Sequence, residues 1–307
     1  MHQLLAPPLI ILYVVILSTI AIQLRGRTRL GFKRQLTDVS TFTAPFNAFV
    51  YLFSAVPNRP VLEVARFPEL AVLRRNWRTI RDEARALHEG GRIGQSDRHD
   101  DVYGNSLFKR GWRRFYVKWY GDVLPSAREW CPRTVALLET IPAVHAAMFT
   151  LVAPHSRLGK HRDPFASSLR YHLGLVTPNS EDCRIYVDGV PYAWRDGEAV
   201  VFDETYVHWV ENDTDQPRII LFCDVERPMR GRLATAINRM VIRHVLPATA
   251  PRNVEGETLG ALNRLMERVY PLHLASRRLK ERSVGLYYCL KFGLLLGALY
   301  LLLVVSV

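Results

Sequence analysis

Cysteine is scarce in the 307-residue chain. The four (Cys131, Cys183, Cys223, Cys289) lie far apart, with no CxxC pair and no cysteine–histidine cluster. That spacing excludes a zinc ribbon and a disulfide framework, favours a reducing compartment, and leaves the thiols as small buried hydrophobes. Acidic residues are also under-represented, 29 against 41 Lys and Arg, which sets the net charge at +12 and the pI near 9.8. Such an excess points to an acidic partner: nucleic acid, an anionic membrane face or a phosphorylated substrate. No internal repeat or low-complexity tract is found, and a hydrophobic content of 49% excludes disorder for the middle of the chain.

Charge is missing altogether from Leu4 to Leu24, the length a helix needs to cross a bilayer. Arg25, Arg27, Arg29, Lys33 and Arg34 follow this run rather than precede it, which disfavours a cleaved signal peptide and favours an anchor. Leu286 to Val307 is apolar apart from Lys291, preceded by Arg277, Arg278, Lys280 and Arg282. A tilted or interfacial helix is the alternative for this second run. Basic flanks at both ends predict two membrane spans, with the body of the protein facing the cytoplasm. About 260 residues remain between them, enough for one well-buried domain. The expected divisions are an anchor at 4–24, a basic segment and irregular connector at 25–60, a catalytic domain at 61–228, a basic helical segment at 229–283 and a second anchor at 286–307.

Between the ends, Pro68 to His88 has helical spacing and Gly90-Gly91 stops it. Arg92 to Tyr103 is a polar loop. From Gly111 the period is two, placing Arg114, Tyr116 and Lys118 on one strand face and Phe115, Val117 and Trp119 on the other. With Lys109, Arg110 and Arg113 upstream, this face is either a contact for a phosphorylated head group or a solvated basic edge strand. Pro132 to Ile141 is a short helix. Short strands follow at Ala146–Ala153, Leu169–Val176, Arg184–Val187, Pro191–Trp194, Glu198–Phe202 and Arg218–Val225, with Asp188-Gly189 as a hairpin signal. Many short strands without alternating helices predict an antiparallel sandwich or barrel. Arg230–His244 and Glu255–Arg282 return to helical spacing.

The chemistry resides in His161-Arg162-Asp163 and His208. At i and i+2 in extended backbone, the imidazole and the carboxylate point to one side. Two imidazoles and a carboxylate leave open positions on a metal and suit non-haem Fe(II), although zinc accepts the same donors. Asp163-Pro164 can alternatively open a turn. Arg218, on the strand after His208, can bring a guanidinium into the same pocket to grip a carboxylate. Arg170 and His172 share a strand face nearby; Arg170 can alternatively be a salt-bridged strand residue.

His161…Arg170-Tyr171-His172-Leu173-Gly174-Leu175, then Gly197-Glu198…Phe202-Asp203…His208 and Arg218, resembles the aspartyl/asparaginyl β-hydroxylase family, most closely its bacterial lipid A 2-hydroxylase branch. The resemblance runs from about Val56 to Pro228. It implies a mainly β chain with flanking helices, built on a double-stranded β-helix (jelly-roll) core. It also implies Fe(II), with dioxygen and 2-oxoglutarate as co-substrates and succinate as a product. His161 and His208 match the iron histidines, and Asp163 completes the set where the animal enzymes have glycine. Arg218 matches the partner of the distal 2-oxoglutarate carboxylate; Arg170 and His172 match its further contacts, and Thr150 a further hydroxyl contact. The reaction it implies is hydroxylation at C2 of a fatty acyl chain on lipid A, at a bacterial inner membrane. The competing readings are a peptidyl Asp or Asn hydroxylase, a non-catalytic tethered jelly-roll module and a zinc hydrolase. Two anchors make nucleic acid unattractive as a partner, and no obligate protein partner is evident.

Overall fold

The computed structural model describes residues 7–95 and 112–305. Lys109, Arg110 and most of the Arg92–Tyr103 loop therefore fall outside the described residues. Four N-terminal helices, α1 (Pro7–Arg25), α2 (Phe32–Thr37), α3 (Val39–Phe42) and α4 (Ala44–Phe53), precede the sheets. The stretch expected to be an irregular connector is thus largely helical. Its Pro45 occupies the first turn of α4, where a missing N–H costs nothing. The helical pattern after Pro68 is split at Asn76 into α5 (Ala71–Arg75) and α6 (Trp77–Glu89), with Ile80, Ala84 and Leu87 on the buried face of α6.

Among the described residues, twelve strands form two antiparallel sheets. They are β1 (Val61–Leu62), β2 (Gly94–Gln95), β3 (Trp112–Trp119), β4 (Asp122–Val123), β5 (Val144–Val152), β6 (Ser156–His161), β7 (Ser168–Val176), β8 (Cys183–Val187), β9 (Val190–Ala193), β10 (Ala199–Phe202), β11 (His208–Asn212) and β12 (Arg218–Glu226). The larger sheet runs β1-β10-β7-β12-β5-β3-β2, with β4 paired to β3 off this path, and the smaller runs β6-β11-β8-β9. From β5 onward the first strand pairs the last, the second the seventh, the third the sixth and the fourth the fifth, which is jelly-roll pairing. β5, β7 and β12 are buried along almost their whole length, as central strands covered on both faces must be.

Local chemistry sets the joints. Asp188 and Gly189 both take positive φ, 54° and 84°, in the two-residue turn between β8 and β9. Gly174 is required by close approach, since a Cβ there would lie 2.0 Å from the Arg195 carbonyl oxygen. β3 is flanked by β5 and β2 rather than lying at the edge of its sheet, and its register slips between Tyr116 and Lys118. That bulge overturns the strict two-residue alternation expected there: Trp112, Tyr116 and Trp119 all reach the pocket described below, while Lys118 Nζ donates to the Val144 carbonyl at 2.9 Å.

Two expectations are corrected. The chain is mixed helix and sheet rather than mainly β, and no helix among the described residues is long and apolar enough to cross a membrane. The two-span inner-membrane arrangement with a cytoplasmic catalytic face is therefore withdrawn. In α1 the apolar run is interrupted by Ser18, Thr19 and Gln23, and its C-terminal half docks on the domain: Ser18 and Ile22 are buried, and Gln23 Nε2 donates to the Leu30 carbonyl at 2.9 Å. At the other end, helix Val284–Val305 carries Lys291 in its body and follows helix Ala261–Arg282, which contains Pro271.

Candidate metal centre

His161 ends β6 and His208 begins β11, and the two are directly paired in the ladder. Their ring centroids are 4.2 Å apart. Asp163 follows two residues beyond β6, its N–H donating to the Glu204 carbonyl at 2.9 Å. One donor atom from each of His161, Asp163 and His208 lies within 4.8 Å of the others, and all three residues are buried. Each imidazole Nδ1 sits against a backbone carbonyl, Gly159 at 2.8 Å for His161 and Tyr206 at 3.0 Å for His208. A carbonyl can only accept, so Nδ1 carries the proton and Nε2 keeps its lone pair. Burial lowers both imidazoles, His208 to about 3, so both are neutral near pH 7. The donor set fits a divalent metal: two neutral nitrogens and one carboxylate, each held from behind.

Asp163 is held by Arg170. Nη2 of this buried guanidinium is 2.9 Å from Asp163 Oδ2 and also pairs with Glu204, while Nε is 2.7 Å from Asp224 Oδ1. Glu204 takes a further bond from Ser168 Oγ (3.0 Å), and Asp224 one from the Tyr120 hydroxyl (2.7 Å). Burial pushes the Asp163 carboxyl up, but the charge and hydrogen bond of Arg170 oppose it, and the carboxyl is held below its usual range. For Asp224 burial prevails and the carboxyl rises. Arg170 thus lines the pocket but is engaged by three carboxylates.

Arg218 is the opposite case. It is 1% exposed, on the first residue of β12, and makes no ion pair among the described residues. Its Nη1 is 3.4 Å from Thr150 Oγ1, its guanidinium carbon lies 4.2 Å over the Trp194 ring, and Nε has no hydrogen-bond partner among the described residues. Burial, unrelieved by any carboxylate, pulls it down to about 10, so it stays charged at neutral pH. His172 lies beside it with both ring nitrogens buried and without a hydrogen-bond partner among the described residues, its pKa well lowered by burial and by Arg218. A single pocket brings all seven sequence-predicted residues together: Thr150, His161, Asp163, Arg170, His172, His208 and Arg218. Its remaining wall is apolar and aromatic, including Trp112, Tyr116, Met148, Leu158, Ile185 and Val210.

Sequence reasoning missed Glu204 and Asp224, and gave Asp203 no role beyond its place in the motif. The signal was present: Asp224 interrupts the otherwise apolar run Ile219–Val225, and Asp203-Glu204 follow an apolar strand directly, positions where charge survives only if paired.

A jelly-roll-paired double sheet with a buried His–Asp–His set and an unpaired buried arginine defines a metal-competent pocket of a non-haem type. The model for the aspartyl/asparaginyl β-hydroxylases matches residues 74–228, about half of the chain. The chain belongs to this family of hydroxylases. It is 33% identical over 182 residues to the ornithine lipid ester-linked acyl 2-hydroxylase of Rhizobium tropici, a match covering 58% of this chain and 64% of that protein. It is 30% identical over 161 residues to the aspartyl/asparaginyl β-hydroxylase of Homo sapiens, covering 51% of this chain and 21% of that protein. The chain thus spans less than two thirds of the length of these relatives. Among solved structures, a prolyl-4-hydroxylase of Pseudomonas putida overlaps 49% of this chain and 86% of its own, with 20% identity and a TM-score of 0.35.

Proposed function

We propose that the protein is an Fe(II)- and 2-oxoglutarate-dependent hydroxylase that acts at C2 of a fatty acyl chain on a polar lipid, with lipid A as the specific candidate. The observation that carries the reading is Arg218: a buried, charged guanidinium with no carboxylate of its own, in the same pocket as three convergent metal donors. A buried cation needs an anion, and a keto-diacid that also reaches the metal supplies one. His161, Asp163 and His208 would hold the iron, and Arg218 with Thr150 would hold the far carboxylate of 2-oxoglutarate. Bound there, iron with dioxygen and 2-oxoglutarate supplies the oxidation of C–H to C–OH, with succinate and CO2 released.

The residues themselves supply orientation and a dry cavity. Carbonyls behind both imidazoles fix their tautomers, and Arg170 fixes the carboxylate. The substrate class follows from what remains of the lining. Among the described lining residues the only cationic side chains are Arg170 and Arg218, the three histidines being neutral. Arg170 is engaged by three carboxylates and Arg218 is reserved for the co-substrate. No guanidinium is left in the pocket for the carboxylate of an aspartyl side chain, whereas the Trp112, Tyr116, Met148, Leu158, Ile185 and Val210 wall suits methylene groups. The lipid named for the Rhizobium relative accords with this choice.

Mass spectrometry of lipids and of acidic peptides from cells with this protein, without it, and with His161→Ala tests the reading. The expected result is a gain of one oxygen on an acyl chain of lipid A in the first only. Oxygen on acidic peptides, with all acyl lipids unchanged, contradicts it in favour of a peptidyl hydroxylase.

A further inference from the structure

We propose that Arg25, at the end of α1, is a positioning residue of the metal centre, so that the site is incomplete without a segment outside residues 74–228. The inference rests on the metal reading above. Arg25 Nη2 lies 3.2 Å from Asp203 Oδ2 and 3.0 Å from Thr205 Oγ1. Its guanidinium carbon is 3.8 Å from the ring centroids of both Tyr51 and Tyr206. One guanidinium nitrogen, Nη2, therefore bridges a buried carboxylate and a hydroxyl while the planar group packs against two tyrosine rings, a stacking that the compact ammonium of lysine does not reproduce. Asp203 is fully buried and also pairs with Arg227 Nη2 at 2.8 Å.

The turn Asp203–Tyr206 that Arg25 clamps supplies two of the ligand supports. The Glu204 carbonyl accepts the Asp163 N–H at 2.9 Å, and the Tyr206 carbonyl faces His208 Nδ1 at 3.0 Å. The same stretch of chain touches the ligand loops twice more. Arg162 Nη2, between two of the ligands, donates to Gln23 Oε1 at 3.1 Å, and the Thr28 N–H donates to Asp188 Oδ1 at 2.8 Å. The Asp188 N–H in turn donates to the Val207 carbonyl beside His208, at 2.8 Å. Arg27 and Arg29 are exposed, so the role belongs to Arg25 and not to the basic run as such.

The test uses the full chain. Co(II) is titrated into wild type, Arg25→Ala, Arg25→Lys and Arg29→Ala, and the His208 tautomer is read in the metal-free proteins from imidazole 15N resonances. Supports behind a ligand set metal affinity by about 10–100-fold. Arg25→Ala is expected to weaken Co(II) binding by about tenfold or more, alter the Co(II) absorption spectrum and mix the His208 tautomers. Arg25→Lys is expected to lie between it and wild type, and Arg29→Ala to match wild type. If Arg25→Ala does not fold, Arg25→Lys alone must show weakened binding and a mixed tautomer. Wild-type affinity, spectrum and tautomer in the folded Arg25 variants overturn the proposal. If wild type itself binds no Co(II), the metal reading has failed, and the tautomer comparison still decides the role of Arg25.

Discussion

Replacing Arg218 with methionine is expected to raise the melting temperature of the 2-oxoglutarate-free protein while removing 2-oxoglutarate-dependent turnover. The two effects have opposite signs because they have one cause. In the free protein the guanidinium is 1% exposed with no ion pair among the described residues, so its burial is a standing cost. A methionine of similar length fills the space over Trp194 without that cost. Each kcal/mol recovered corresponds to about 2–4 °C in a domain of this size. In the complex the same guanidinium meets a carboxylate, and truncating one partner of a buried charge pair costs about 2–5 kcal/mol, more than tenfold and up to several thousandfold in affinity. Thermal melts with and without 2-oxoglutarate, together with kcat/KM for 2-oxoglutarate, check both halves. A lowered melting temperature with unchanged kcat/KM contradicts the role.

The three ligand variants, His161→Ala, Asp163→Ala and His208→Ala, are expected to abolish hydroxylation and stoichiometric metal binding while the fold persists. Persistence follows from the network behind the site. Asp163→Ala leaves Arg170 paired with Glu204 and Asp224, so no unpaired buried charge is created. His208→Ala removes a neutral ring rather than a charge. Circular dichroism, metal analysis and product mass spectrometry separate these effects. Asp163 is the discriminating member, because full metal content and activity in Asp163→Ala would reduce the site to its two histidines.

The seven residues singled out from sequence converge because their spacing records their geometry. A histidine and a carboxylate at i and i+2 leave one side of an extended backbone, and His208 and Arg218 begin successive strands. The strands carrying the histidines were harder to read. β6 (Ser156–His161) has one buried apolar residue, Leu158, and β11 alternates buried and half-exposed residues over only five positions. Neither forms the apolar run that marked β5, β7 and β12. Arg170 illustrates another limit: at sequence level nothing distinguishes a guanidinium that binds a ligand from one already tied to Asp163, Glu204 and Asp224.

The ends were misread for a physical reason. An apolar run reports that a segment avoids water, not what it packs against, and the last turns of α1 dock beside α4 and the Asp203 turn. With the anchors withdrawn, a lipid substrate can no longer be argued from membrane tethering. It rests instead on the apolar wall of the pocket and on the prior engagement of Arg170.

Anaerobic calorimetry of the wild-type chain with Fe(II), followed by 2-oxoglutarate, measures the central claim directly. One equivalent of metal should bind, and one equivalent of 2-oxoglutarate should then bind only to the metal-loaded protein. No metal uptake, or 2-oxoglutarate binding of equal strength without metal, would contradict it.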